Sequence, residues 1–160
     1  MMLPGNARMR HAGPIGSWTP VILWMFVICL MSTSAFSGED TSLIIEPLLR
    51  FLLPSITASE FGIYHAIIRK MAHVAEYLIL GLLLFRAFSA GQAGRRHWQW
   101  AGSSLLVLVL YASLDEFHQS FTASRTASVI DVGIDICGGL LGLSLCILRR
   151  CRLTREQAGS

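Results

Sequence analysis

The sequence predicts an all-α polytopic membrane protein with four transmembrane helices and a partly helical interfacial segment between the first and second. Three observations lead there. Of 160 residues, 53% are hydrophobic and only 14% are charged, a balance too apolar for an ordinary soluble domain of this size. The apolar residues gather in long runs that reach or approach the length of a bilayer crossing. The 13 Lys and Arg exceed the 10 Asp and Glu by a net charge of +3, yet the basic residues flank the apolar runs and form no stripe for nucleic acid. The charge therefore concerns topology, and membrane lipids are the expected partners.

Cysteine usage excludes two classes. Cys29, Cys137 and Cys146 fall inside apolar runs and Cys151 lies in a basic tail, so there is no disulfide framework and no paired CxxC metal pattern. No cofactor motif is present.

Residues 1–16 read as a disordered cytoplasmic leader, with Gly, Pro and Arg but no apolar periodicity. A first span is expected over Trp18 to Phe36. Its centre, Val21 to Met31, is apolar all round, and the roughly 20 residues needed to cross are reached only by including the Ser/Thr end, which then faces the protein interior. The same start also fits a signal peptide cut after Ala35, but the small-residue cleavage signal is loose and an uncleaved anchor is preferred. From Ser37 to Arg69, Leu43, Ile44, Leu48, Phe51 and Leu52 recur at helical spacing around Glu46 and Arg50, interrupted by Pro47 and Pro54. Two readings stay open for this segment, a broken amphipathic helix in the membrane interface and a packed lid over the helices.

Further spans are expected over Ile67 to Phe88, Trp98 to Phe121 and Val129 to Leu148, which gives a transmembrane domain over 17–148 and a basic cytoplasmic tail over 149–160. With four spans, Arg8, Arg10, Arg86, Arg95, Arg96, Arg149, Arg150, Arg152 and Arg155 share one side, and Arg50, Arg69, Lys70 and Arg125 the other. The excess of basic residues places both termini in the cytoplasm. The second span then begins, the third ends and the fourth begins on the outer side, and their polar residues converge there.

On the second span Lys70, His73 and Tyr77 fall within about 60° of one another on a helix, with Glu76 on the flank. Singly they read as a snorkelling Lys, an interhelical His and an interfacial Tyr; together they read as a site. On the third, Asp115, Glu116 and Gln119 face inward by i+3 and i+4 spacing, while His118 points aside. On the fourth, Asp131, Asp135, Gly138 and Gly142 share one face within about 60°, the two glycines for close helix packing. Arg125 and Ser128 occupy the short outer connection, where Arg125 can pair with Glu116, Asp131 and Asp135 or, with Lys70, hold an anionic group. Lys70, His73, Glu116, Arg125 and Asp131 are expected to form one connected cluster, backed by Gln119, Ser128 and Asp135, because unpaired charges facing lipid would each cost several kcal/mol. Metal spacing is poor: there is no His-Glu-x-x-His and no Cys pair.

These residues carry a resemblance. Arg69-Lys70-x-x-His73-x-x-Glu76-Tyr77, then Asp115-Glu116-x-x-Gln119-x-Phe121-x-x-x-Arg125-x-x-Ser128-x-x-Asp131, followed by Asp135, Gly138 or Gly139, and Gly142, are similar to the motifs of the VanZ-like family, in order and at matching spacing. Phe36-Ser37-Gly38-Glu39-Asp40-Thr41-Ser42 resembles that family's Ser-rich segment. The resemblance spans about Val21 to Leu148. It implies a four-helix integral membrane domain of the bacterial envelope, in a family associated with resistance to the glycopeptide teicoplanin.

Three functions compete on these residues. The first is an envelope protein whose outer-leaflet polar site engages an anionic lipid or cell-wall precursor. The second is a membrane hydrolase or phosphotransferase acting on a lipid-linked substrate, with His73 and Glu116 or Asp131 as general acid and base and Lys70 and Arg125 on phosphate; no nucleophile motif supports it. A proton-coupled carrier is weaker still, because no polar path continues through the inner half of the helices. Oligomeric state leaves no signature in the sequence.

Overall fold

The computed structural model describes residues 14–33, 38–90, 97–121 and 128–159. Five helices account for nearly all of them: α1 (Pro14–Met31), α2 (Gly38–Leu52), α3 (Ala58–Ser89), α4 (His97–Gln119) and α5 (Val129–Ala158), with no strand among the described residues. The leader expected over 1–16 lies largely outside them, although α1 already begins at Pro14.

Three helices, α3, α4 and α5, are long and apolar enough to cross a membrane, and α1 contributes a shorter apolar stretch, Gly16–Met31. The fourth expected span, Trp18 to Phe36, is described only as far as Thr33. There Thr33 N–H bonds back to Leu30 O in a tightened last turn and the Thr33 hydroxyl donates to the same carbonyl at 2.6 Å. Hydroxyl side chains that take up backbone carbonyls in this way compete with helix continuation. Residues 34–37, including the expected end at Phe36, lie outside the described residues.

α3 corrects the sequence reading most. Its 32 residues start at Ala58, nine positions before Ile67, because Thr57 and Glu60 close a reciprocal capping box: Glu60 N–H donates to Thr57 Oγ1 at 3.3 Å and Thr57 N–H donates to Glu60 Oε2 at 2.9 Å. Such a box satisfies two of the backbone donors that every helix start exposes. α2 also differs, since Pro47 sits inside one continuous helix. Its Leu43, Ile44, Leu48, Phe51 and Leu52 are exposed, which excludes a packed lid, and Thr41 Oγ1 and His65 Nε2 share a 3.1 Å hydrogen bond that ties α2 to α3. At the other end, α5 stays helical through the basic residues to Ala158.

Packing centres on α3 and α5, which run in the same direction while α4 returns beside them. In lipid, where apolar surface gains little by leaving one apolar medium for another, helices hold together through close van der Waals contact and interhelical hydrogen bonds. Glycines permit that contact here. A Cβ on Gly138 would stand 2.5 Å from the Val74 carbonyl oxygen, one on Gly81 would stand 2.6 Å from that of Gly139, and one on Gly142 would collide with that of Leu78. Tyr77, Leu80, Leu84, Leu108 and Ala112 fill the centre with Val21 and Ile28 of α1, and Phe85, Trp100 and Leu143 close the opposite end. α1 is fastened by Trp24 Nε1–H donating to the Glu76 carbonyl at 2.9 Å, by the Tyr111 hydroxyl donating to the Met25 carbonyl, and by an edge-on Trp18–Phe88 contact at 4.9 Å.

Candidate functional site

The start of α5, the end of α4 and the middle of α3 bring the polar residues to one end of the bundle. At the mouth, Lys70 Nζ donates to Asp131 Oδ1 at 3.3 Å, with the two side chains 52% and 41% exposed. One turn deeper along the same two helices, His73 Nδ1 lies 3.3 Å from Asp135 Oδ1. The spacing 70/73 against 131/135 puts one such contact on each successive turn of the seam.

Behind this seam the groups are closed off. Glu76, Asp115, Glu116 and Gln119 are 5–8% exposed and Asp135 only 1%. Asp115 Oδ2 accepts from Ser32 Oγ at 2.8 Å and from Gln119 Nε2 at 3.0 Å, and Gln119 Nε2 also donates to Ser32 Oγ at 3.2 Å. This triangle joins the end of α1 to α4. Glu116 turns the other way, and its Oε1 accepts the Ser128 backbone N–H at 2.5 Å, holding the entry to α5. Tyr77 is wholly buried, its ring 6.3 Å from that of Tyr111, and its hydroxyl has no hydrogen-bond partner among the described residues.

Two cavities flank the seam. One, of about 130 Å³, is lined by Ala66, Arg69, Lys70, His73, Gln119 and Asp131. The other, of about 250 Å³, lies on the α4–α5 side against Ser113, Glu116, Phe117, Ser120, Ser128 and Val132. The first carries charges of both signs and the second a carboxylate among hydroxyls and apolar walls. No group of three or more His, Cys, Asp or Glu with metal-binding geometry occurs among the described residues.

The sequence-predicted residues thus fall into separate contacts: Lys70 with Asp131, His73 with Asp135, Gln119 with Asp115, and Glu116 with the Ser128 backbone. Arg125 lies outside the described residues, and His118 is exposed. Glu76 is buried, and its backbone carbonyl receives the Trp24 indole. Gly138 and Gly142 lie in the seam just below the acids. Sequence reasoning passed over two residues: Ser32 was only part of a polar helix end, and Tyr111 gave no signal within a run of Leu and Val. Arg69 entered as a charge that fixes orientation and as part of the family-like motif, without a place in the expected cluster. For Arg69 the signal was available, because it neighbours Lys70 on the site-bearing helix.

No curated protein and no solved structure matches the chain. A family model does, over residues 17–150, from the start of α1 into the basic end of α5. With that match covering most of the sequence and all four polar contacts of the bundle mouth, the chain belongs to the VanZ/LLP1 family.

Proposed function

We propose that this protein is a four-span component of the bacterial cytoplasmic membrane, with α1 as the fourth crossing and both termini cytoplasmic, whose polar bundle mouth engages an anionic lipid or cell-wall-related ligand in the outer leaflet. α2 lies in the interface with its Leu, Ile and Phe stripe in the lipid. Through the bound ligand the protein bears on susceptibility to teicoplanin, in line with the family's association. The observation that carries this reading is the joint lining of one cavity by Arg69, Lys70 and His73. Three basic side chains around a small opening offer an anion several charge-assisted hydrogen bonds, and charged groups beside membrane helices mark functional sites by default.

No specific observation favours a hydrolase. Ser32, whose hydroxyl bonds the buried Asp115, is 1% exposed and spends its proton in that bond.

The test is mass spectrometry of molecules co-purifying with the full-length protein, compared with an Arg69→Gln/Lys70→Gln double variant. A phosphate- or carboxylate-bearing ligand retained by the wild type and lost from the variant is the expected result; identical retention by both would sink the reading. Orientation is checked by single-cysteine labelling in a background without the four native cysteines, with Ser42 and Ala123 labelled from outside and Ser160 protected.

A further inference from the structure

The cavity at the bundle mouth presents acids as well as bases, and this mixture restricts the ligand. Arg69 makes no ion pair among the described residues. Lys70 and Asp131 make one, at 3.3 Å and half exposed, a pair of the kind that contributes little to stability. Gln119 spends its amide nitrogen on Ser32 and Asp115, so its carbonyl oxygen is what it can offer a donor. One turn below stands Asp135, in contact with His73 and, among the described residues, with no Lys or Arg.

A ligand carrying only negative charge would meet Arg69 and Lys70 but would lie against Asp131, with Asp135 one turn deeper. A ligand with a phosphate and a primary ammonium avoids that repulsion. Resting on the reading above, we propose that the cavity between α3, α4 and α5 binds a zwitterionic phosphate–ammonium group: phosphate on Arg69 and Lys70, ammonium on Asp131 and the Gln119 carbonyl. Insertion opens the single Lys70–Asp131 contact and replaces it with two charge-assisted ones, and no net charge enters the mouth of the bundle. The cavity of about 130 Å³ has the room of about four waters, enough to seat a phosphoethanolamine headgroup. The source of the group is a phosphatidylethanolamine-type lipid or a soluble or polymer-borne phosphoethanolamine, which share this chemistry.

Native mass spectrometry of the full-length protein, titrated with phosphatidylethanolamine, phosphatidylglycerol and phosphatidylcholine of identical acyl chains, separates the possibilities. Phosphatidylethanolamine should bind at least about tenfold tighter than either other lipid, the ratio conferred by one charge-assisted hydrogen bond; phosphatidylcholine keeps the charges but has no N–H to donate. Arg69→Gln should weaken phosphatidylethanolamine and phosphatidylglycerol alike, whereas Asp131→Asn should weaken phosphatidylethanolamine and spare phosphatidylglycerol. Displacement by free O-phosphoethanolamine would assign recognition to the headgroup chemistry alone, and an undiminished lipid preference without displacement would assign it to the lipid.

Phosphatidylglycerol binding as well as or better than phosphatidylethanolamine in the wild type overturns the zwitterion and leaves the anion reading standing. Binding of every lipid unchanged by Arg69→Gln overturns both. The wild-type preference needs no variant, so a misfolded Asp131→Asn does not remove the test.

Discussion

α3 and α5 meet twice, in two different ways. In the middle of the bundle they touch backbone to backbone, through Gly138 against Val74, Gly142 against Leu78, and Gly81 against Gly139. At its mouth the same helices meet through polar side chains, Lys70 with Asp131 and His73 with Asp135. The first region excludes everything larger than a hydrogen atom and leaves no room for a ligand. The second holds the half-exposed Lys70–Asp131 pair, of a kind that contributes little to stability, and leaves a cavity. Stability and binding are therefore assigned to different turns of one seam, and substitutions should separate them.

The largest effect is expected in the glycine region. Gly138→Val or Gly142→Leu forces side-chain carbon into a backbone carbonyl, and overpacking of this kind costs about 1–3 kcal/mol or more. Thermal unfolding of the purified protein should show a clear loss of midpoint, with reduced yield from cells. Gly102 and Gly133 have nothing within 4 Å of a built Cβ, so alanine there should be neutral or stabilise by up to about 1 kcal/mol. A similar loss at all four positions would break the distinction.

Next comes Asp115→Ala, which takes the acceptor from the Ser32 hydroxyl and leaves the Gln119 amide with Ser32 alone. A buried polar group deprived of its partner costs about 1–3 kcal/mol, and Asp115→Asn, which keeps an acceptor oxygen, should recover part of it. Unfolding in mixed micelles reads the difference. Thr57→Ala removes the capping box at the start of α3 and should cost about 1 kcal/mol, seen locally as faster amide exchange over the first turn of α3 and not in the glycine seam.

The smallest stability effect is expected at the mouth. Lys70→Gln breaks an ion pair exposed by about half, and such pairs contribute about 1 kcal/mol or less. Its midpoint should stay close to the wild type while ligand retention falls. A Lys70→Gln protein as unstable as Gly142→Leu would return the mouth to a purely structural role.

Helical periodicity made each side of this seam readable in advance. Asp131, Asp135, Gly138 and Gly142 share a face at 100° per residue whatever surrounds them, and so do Lys70, His73 and Tyr77. What periodicity cannot supply is the partner across the gap. Nothing in the local sequence ties Ser32 to Asp115 or Trp24 to Glu76, because those bonds join residues far apart in the chain and depend on how the helices cross. The start of α3 was missed for a different reason. The apolar run that draws attention begins near Ile67, while the signal for Ala58 is the quieter Thr57-x-x-Glu60 pattern. Pro47 misled because a proline in a helix removes one donor and strains one turn, yet on exposed α2 the helix continues through it.

The attachment of α1 has a genetic consequence. Trp24 and Tyr111 donate to the main-chain carbonyls of Glu76 and Met25, atoms that every amino acid carries. As far as these two bonds are concerned, positions 25 and 76 can drift without a matching change elsewhere, whereas Trp24 and Tyr111 cannot. Second-site revertants of a Trp24 defect should therefore not arise by compensating side chains at position 76. Covariation between α1 and the rest of the bundle should concentrate instead at Ser32 and Asp115, where both partners are side chains and each constrains the other.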